Sequence, residues 1–339
     1  MTTPWLSIIG IGEEGLPGLN QAARAGIDGA EIFVGGARHL AMLGDDPRPR
    51  MTWDSPLQET MAKIKALKGQ AVCVLASGDP MSYGIGVTLS REIGLAQCLV
   101  IPHQSAFSLA CARLGWPLAE VDCLTLHGRP LGLLHLHLRP NARLLILSED
   151  GKTPKQVAAM LKANGYGNST ITVFEHMGGA KERRHDGTAR TWRRNTADLN
   201  TIAVDCRIDP DTVHLMRTAG LADEVYQHDG QITKREVRAV TIAALSPRPG
   251  EVFWDVGAGA GSIAIEFLRA EPTAQAIAIE QNPKRIANII ANGENLGAGN
   301  LRVVAGSAPA ALKGLAKPNV IFVGGGVSDA KVLNACWRA

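Results

Sequence analysis

The 339-residue sequence is poor in aromatic residues and has little excess charge of either sign. Aromatic residues make up 4%, and 35 Lys and Arg stand against 32 Asp and Glu, for a net charge of +3. Nucleic-acid binding calls for a basic surface, with interleaved aromatic side chains where single strands are bound. No apolar run approaches the roughly 18 residues that cross a bilayer, and residues 1–12 have no basic leader region. We therefore expect a cytoplasmic protein with no membrane or nucleic-acid partner.

Metal-binding and redox motifs are also missing. The six cysteines include no Cys-x-x-Cys pair, which excludes the common zinc and thiol-redox patterns. We expect buried thiols in a reducing compartment. His135 and His137 would share a face only in an extended chain, so we expect surface histidines and no metal site.

Glycine and apolar residues are plentiful, with 37 Gly, 18 Pro and 45% hydrophobic residues. This balance is typical of a folded protein, and the length suits two domains. Apolar runs alternate with helical patterns along most of the chain, which predicts an α/β fold. After residue 164, the runs 170–176, 188–192 and 200–206 indicate antiparallel strands.

A polar segment divides the predicted domains. We expect the first domain to span residues 1–206 and the second to span residues 232–339. Residues 207–231 are polar and carry turn signals, so we expect a linker with a docking helix and few contacts to either core.

The sharper nucleotide-type motif lies in the second domain. Residues 255–262, Asp-Val-Gly-Ala-Gly-Ala-Gly-Ser, follow a predicted strand and open a helix. A dinucleotide fingerprint needs glycine where Ser262 stands, so the pattern favours S-adenosylmethionine over NAD. Glu280 ends the next strand, where a carboxylate can accept ribose hydroxyls. The alternative is a tight turn in which Asp255 caps the helix and Glu280 is a surface residue.

A weaker glycine motif occurs near the start of the chain. Residues 10–15, Gly-Ile-Gly-Glu-Glu-Gly, satisfy the dinucleotide spacing after a strand. Glu13 and Glu14 would face the pyrophosphate, and Glu31 begins the next strand where a ribose-binding carboxylate should end it. Pyrophosphate binding is therefore disfavoured.

Several loops give the first domain a family resemblance. Residues 77–84 (Ser-Gly-Asp-Pro-Met-Ser-Tyr-Gly), 101–106, 126–129 and the hairpin 178–183 resemble the tetrapyrrole methylases, which are class III methyltransferases. The resemblance covers residues 5–206. It implies two α/β lobes with S-adenosylmethionine folded between them, although Tyr83 could serve packing alone. The cofactor-binding residues that it implies are Gly10, Gly78, Asp79, Pro80, Tyr83, Ser105 and Ala106.

The second domain resembles a Rossmann-like class I methyltransferase that acts at C15 of a cobalamin precursor. The resemblance runs from residue 232 to residue 309. Ser307 departs from the family pattern, in which an Asp often holds the adenine amino group, so adenine recognition would depend more on backbone. The cofactor-binding residues that it implies are Thr233, Gly257, Ala258, Gly259, Ala260, Gly261, Glu280 and Ala308.

Together the two resemblances imply methylation of a precorrin, a tetrapyrrole of cobalamin biosynthesis. The first domain would act at C5, and the second at C15 with decarboxylation of the C12 acetate, in a homo-oligomer. Arg129 and Arg183 are candidates for holding the substrate carboxylates, although the basic run 181–194 is read more readily as a solvated hairpin. No catalytic residue is assigned. A nucleic-acid methyltransferase and a non-catalytic S-adenosylmethionine-binding module stay open as alternatives.

The second sheet is expected to be incomplete. Residues 320–323, Val-Ile-Phe-Val, are apolar on both faces, as in a central parallel strand. Only one further helix follows in the sequence, so we expect a C-terminally truncated form whose apolar sheet edge is exposed. Methylation at C15 and decarboxylation would then be weak or absent.

Overall fold

The computed structural model describes residues 4–339, which divide into two compact units. The first unit contains residues up to 127 together with 143–163 and 167–205, and the second contains residues 128–142, 164–166 and 206–339. Strands and helices alternate through both units, which confirms the α/β class. Between residues 4 and 339, no helix combines the length and apolarity needed to cross a membrane.

A parallel sheet occupies the N-terminal part of the first unit. Its strands and helices are β1 (Leu6–Ile11), α1 (Gln21–Asp28), β2 (Ile32–Gly35), α2 (Ala37–Ala41), β3 (Arg50–Met51), α3 (Leu57–Ala66), β4 (Val72–Ser77), α4 (Ile85–Ile93) and β5 (Cys98–Ile101). The strand order is β3-β2-β4-β1-β5. β1 and β4 are central and almost wholly buried, as expected for apolar strands covered on both faces.

A mixed sheet forms the rest of the first unit. Its elements are α5 (Ala106–Leu114), β6 (Asp122–Thr125), β7 (Arg143–Leu147), α6 (Thr153–Ala163), β8 (Thr170–Glu175), β9 (Arg183–Thr188) and β10 (Asn200–Asp205). The order is β6-β7-β10-β8-β9, and β9 pairs antiparallel with β8 at the edge. The strand predicted at 188–192 is wrong, because that segment turns back with the Trp192 backbone N–H bonded to Thr188 O. Charged side chains suit β9 to an edge position.

The second unit is built on a parallel sheet. Its elements are α7 (Arg235–Leu245), β11 (Val252–Val256), α8 (Ser262–Ala270), β12 (Gln275–Glu280), α9 (Pro283–Asn295), β13 (Arg302–Ala305), β14 (Val320–Val323) and α10 (Ala330–Trp337). The order within residues 4–339 is β13-β12-β11-β14. Within that range β14 pairs with β11 on one side only, so this apolar strand lies at the edge of the described sheet.

The segment 207–231 is packed more closely than its polar composition predicts. Leu221 and Tyr226 are buried in the core of the second unit. The backbone N–H groups of Gly220 and Leu221 donate to the Glu266 carboxylate of α8, at 2.6 and 3.0 Å. The expectation of few contacts is therefore wrong, because a buried carboxylate that the sequence pattern does not reveal fixes the segment.

Residues 128–142 also belong to the second unit, where a 3-10 helix spans Leu131–Leu136. His135 is only 8% exposed, so the expectation that it lies on the surface is wrong. It packs beside Gly297, at the end of α9. Burial, with the nearby Arg269 charge, lowers the pKa of His135 to about 4.

This buried histidine should make the second unit sensitive to acid. Because the folded state disfavours protonated His135, its contribution is complete above about pH 6.5 and is lost as the pH falls towards 4. The loss is up to about 3 kcal/mol. Urea unfolding of H135Q at pH 7.5 and 4.5 should show a smaller pH dependence than the wild type, whereas the exposed-site control H228Q should match the wild type. An unchanged pH dependence in H135Q would contradict this expectation.

Candidate cofactor sites

A cavity of about 640 Å³ opens at the carboxyl ends of β11 and β12 in the second unit. Parallel α/β sheets bind ligands at this edge. Gly261 is not part of the cavity lining. It packs against Ile289 of α9, because a Cβ on residue 261 would come within 2.9 Å of Ile289 Cγ2. The predicted residues that line the cavity are Thr233, Gly257, Ala258, Gly259, Ala260, Glu280 and Ala308.

The glycines of the loop serve different purposes. Gly257 has φ 74°, and a Cβ there would lie 2.8 Å from the backbone N of Gly325, which follows β14. Gly259 has φ 59°, but the nearest atom to an added Cβ is Gln231 O at 3.9 Å. Gly257 therefore permits backbone packing, and Gly259 leaves open space on the cavity side.

Glu280 is a buried residue of the site, which removes the surface alternative. It is 5% exposed. Its Oε2 accepts from Gly259 N–H at 2.9 Å, and its Oε1 accepts from Gln281 and Asn282 N–H at 2.9 and 3.0 Å. These bonds fix the carboxylate at the cavity wall. Oε1 already accepts two hydrogen bonds, and Oε2 accepts one, so Oε2 can accept a further hydroxyl.

One carboxylate oxygen of Asp255 bonds to the first turn of α8, and the other has no hydrogen-bond donor in the described part of the chain. Its Oδ2 accepts from Ala264 N–H in the first turn of α8 at 3.1 Å, as the capping alternative predicts. Its buried Oδ1 has no hydrogen-bond partner among residues 4–339. Burial, together with the Glu280 charge, raises the pKa of Asp255 to about 7. A ligand that brings hydrogen-bond donors to this wall fits the site.

Sequence reasoning missed part of the cavity wall. Arg285 of α9 donates to Asp229 Oδ2 and Gln231 Oε1, both at 2.7 Å, and so fastens the segment before α7 over one side. The glycines 324–326 form another part of the lining. The three consecutive glycines directly after a predicted strand could have indicated this part of the site. No local sequence pattern relates Arg285 to Asp229, which lies 56 positions away.

Three loops of the first unit meet at the carboxyl ends of β1, β4 and β5. A Cβ on Gly10 would lie 1.8 Å from Gly78 O and 2.6 Å from His103 N, so only glycine fits there. His103 N–H donates to Gly78 O at 3.1 Å, and Gly78 itself has φ 52°. The structure thus brings together the predicted loops around Gly10, Gly78 and Ser105.

The other predicted residues of this site hold their loops in place. Asp79 Oδ1 accepts from Met81 N–H at 2.8 Å, in the turn that also contains Pro80. Tyr83 has φ 56°, and its hydroxyl donates to Cys123 O at 2.8 Å. Ser105 caps α5, which begins at Ala106, by accepting from Ser108 N–H at 3.1 Å. Tyr83 is thus anchored, while its side chain stays half exposed.

The acidic pair after β1 has basic side chains as partners within the first unit. Glu13 is bonded to Arg38 and, at 2.8 Å, to His176 Nδ1. Glu14 Oε1 lies 3.0 Å from His103 Nε2. Sequence reasoning considered these glutamates only as obstacles to pyrophosphate and missed Arg38 and His176, which come from α2 and from the loop after β8.

The two candidate substrate arginines lie in different units. Arg183 begins β9, and Arg129 belongs to residues 128–142 of the second unit. Neighbours of Arg183 are partly neutralised by Arg184–Asp186 and His185–Glu175 pairs at 3.0 and 3.3 Å. None of the six cysteines forms a disulfide, and residues 4–339 hold no cluster of three or more His, Cys, Asp or Glu that could bind a metal.

These features define a two-part α/β protein with loops suited to ligand binding at the carboxyl ends of a parallel sheet in each unit, and two methyltransferase families match the chain. Residues 6–192 match the family described as Tetrapyrrole (Corrin/Porphyrin) Methylases. Residues 224–339 match the family described as Precorrin methyltransferase domain.

Similarity to a curated protein identifies the family of the whole chain. The chain is 45% identical over 341 residues to a precorrin-6Y C5,15-methyltransferase (decarboxylating) of Sinorhizobium sp., covering 100% of this chain and 83% of that relative. The chain belongs to the precorrin-6Y C5,15-methyltransferase (decarboxylating) family.

Two single-activity proteins of Salmonella typhimurium are also similar. A cobalt-precorrin-7 C5-methyltransferase is 32% identical, covering 53% of this chain and 89% of that protein. A cobalt-precorrin-6B C15-methyltransferase (decarboxylating) is 33% identical, covering 31% of this chain and 55% of that protein.

Proposed function

We propose that this chain methylates a precorrin at C5 and at C15 and removes the carboxyl group of the C12 acetate, converting precorrin-6B to precorrin-8X in cobalamin biosynthesis. The observation that carries the proposal is the presence of glycine-lined loops at the carboxyl ends of two separate parallel sheets. Family membership and the two kinds of single-activity relative support it.

S-adenosylmethionine is the proposed cofactor of both sites and supplies an electrophilic methyl group when bound. In the second unit, Glu280 would accept the ribose hydroxyls, and the open face of Gly259 would admit the ligand close to the backbone. In the first unit, the loops around Gly10, Gly78 and Ser105 would hold the cofactor through backbone groups. Methyl transfer to carbon depends mainly on alignment and exclusion of water, which rigid loops of this kind provide.

The remaining parts of the proposal concern domains, substrate and setting. Residues 1–206 and 232–339 would form the C5 and C15 domains, joined by residues 207–231. Arg129 and Arg183 would bind carboxylates of the tetrapyrrole, because guanidinium groups pair well with carboxylates. The protein would work in the cytoplasm as a homo-oligomer, without a nucleic-acid partner.

Mass spectrometry of the product tests the function and the second site together. Incubation with S-adenosylmethionine and precorrin-6B should yield a product with two added methyl groups and one carbon dioxide fewer. E280A should weaken cofactor binding at the second site by about 1–3 kcal/mol and slow C15 methylation, because a charged hydrogen-bond acceptor is lost. Methylation at C5 should continue.

The control is E236A, which removes an exposed glutamate of α7 and should match the wild type. Full C15 activity in E280A at low cofactor concentration would contradict the assigned role of Glu280. Cofactor binding without any methylated product would refute the enzymatic proposal and leave a binding module.

A further inference from the structure

A network of charged and polar side chains lies beside the loops of the first unit, and the preceding assignments give it no role. His176 follows β8, and its Nδ1 lies 2.8 Å from Glu13 Oε2 in the loop after β1. Arg38 of α2 bonds the other oxygen of Glu13 and also donates to Ser77 Oγ, at the end of β4, at 2.9 Å. This network therefore links His176 to the segments that contain Gly10 and Gly78.

The partners of His176 determine which of its nitrogens carries the proton. Burial alone would raise the pKa of Glu13, but the hydrogen bonds and charges of His176 and Arg38 outweigh it and lower the pKa. Glu13 is thus a carboxylate, which can only accept, so His176 Nδ1 must donate. In the neutral imidazole, Nε2 then carries the lone pair, and it has no hydrogen-bond partner within residues 4–339.

The backbone holds this imidazole in an unusual conformation. His176 has φ 46°, which is uncommon for a residue other than glycine. Its carbonyl accepts from Gly179 N–H at 3.1 Å, and a Cβ on Gly179 would lie 2.7 Å from Glu13 Cβ. Strained residues that persist between tightly packed loops are concentrated at functional sites.

We propose that His176 is the proton acceptor for methylation at C5, with Glu13 and Arg38 as positioning residues. The inference rests on the proposed function of the first domain. Addition of a methyl group to a neutral ring carbon leaves the macrocycle cationic. A proton then passes from the macrocycle to His176 Nε2, and the bonding electron pair stays on the macrocycle, which becomes neutral. The imidazolium so formed faces the Glu13 carboxylate, which stabilises it.

The charged surroundings of His176 favour this role. The groups packed around its loop are Glu13 and Glu14 after β1, Arg38 and His39 of α2, and Glu182, which accepts from Gly178 N–H and pairs with Arg113 of α5. Arg38 and Arg113 are each engaged by a carboxylate, so the positive charge next to this loop is partly compensated.

The first test is H176N, because asparagine tolerates a positive φ and should preserve the fold. Methylation at C5 should slow by about 100-fold or more, while C15 methylation by the same chain and cofactor binding by the first domain stay unchanged. H176G with added imidazole should recover C5 methylation in proportion to the imidazole concentration. The matched control is H185N, which removes a histidine that faces Glu175 in the same unit.

A second readout does not depend on turnover. Nitrogen-15 NMR of the histidine side chains should show neutral His176 with its proton on Nδ1, and E13Q should reduce the population of that tautomer. A wild type without C5 methylation would refute the proposed function itself. A wild type that methylates C5, with H176N equally fast, would overturn the role of His176 alone, as would a proton on Nε2 of the neutral ring.

Discussion

Replacing Glu266 by alanine should destabilise the second unit by about 3–5 kcal/mol. Glu266 is 2% exposed and accepts from the fully buried Arg238 Nε at 2.6 Å. It also accepts from Tyr226 Oη at 3.0 Å and from two backbone N–H groups of the segment before α7. Removal of the carboxylate would leave Arg238 with Asp223 as its remaining anionic partner, at 3.1 Å, and would leave several buried donors without their acceptor.

Hydrogen exchange in α8 measures this loss in the full chain, because its amides open with the core of the second unit. E236A is the control, since it removes a glutamate of the same charge from the exposed part of α7 and should stay within about 0.5 kcal/mol of the wild type. A cost below about 1 kcal/mol for E266A would show that Arg238 finds other compensation.

Exchanging Gly10 for alanine should abolish the first cofactor site. The added Cβ would lie 1.8 Å from Gly78 O, and the groups it meets are backbone atoms that cannot rotate aside. The β1 and β4 loops must therefore separate, and the loop around His103 must move with them. Calorimetric titration with S-adenosylmethionine should change from two sites per chain to one, and C5 methylation should disappear while C15 methylation continues.

G36A is the matched control for this variant. Gly36 lies at the end of β2 with φ −63°, and an added Cβ would be 3.6 Å from the nearest atom, His39 Nδ1. This is ordinary contact distance, so both sites should be retained. Two intact sites in G10A would show that the loops adjust more freely than the packing indicates.

The central strands could be predicted from the sequence because each carries its own signal. β14 has the predicted bounds 320–323, and β11 (Val252–Val256) is the strand predicted before the glycine loop, since both segments are apolar apart from Asp255 and end in glycine. β9 was misplaced because Arg183–Thr188 is charged and becomes a strand only by pairing with β8. Edge strands of this kind depend on a partner more than on local composition.

The candidate sites were predictable where residues close in sequence form them. The loop 257–261 and Glu280 belong to one strand-turn-helix-strand unit, so spacing alone relates them. Glu13 and His176 lie 163 positions apart and meet through the packing of two sheets. Arg285 and Asp229 are likewise joined by tertiary structure. Pairs of this kind leave no periodic or motif signal in a single sequence.

The discontinuity of the second unit has a consequence during synthesis. Residues 128–142 leave the ribosome before 143–205, yet they belong to the same unit as residues 206–339, and Leu134 and Leu136 are buried in the folded chain. At about 5–20 residues per second, the later part takes roughly 10–40 s to emerge. Throughout that interval this apolar stretch lacks most of its own unit, so we expect it to be a binding segment for a chaperone on the nascent chain. If the two units were encoded by separate genes, residues 128–142 would be made with the first unit, and their apolar side chains would need another partner or a polar sequence.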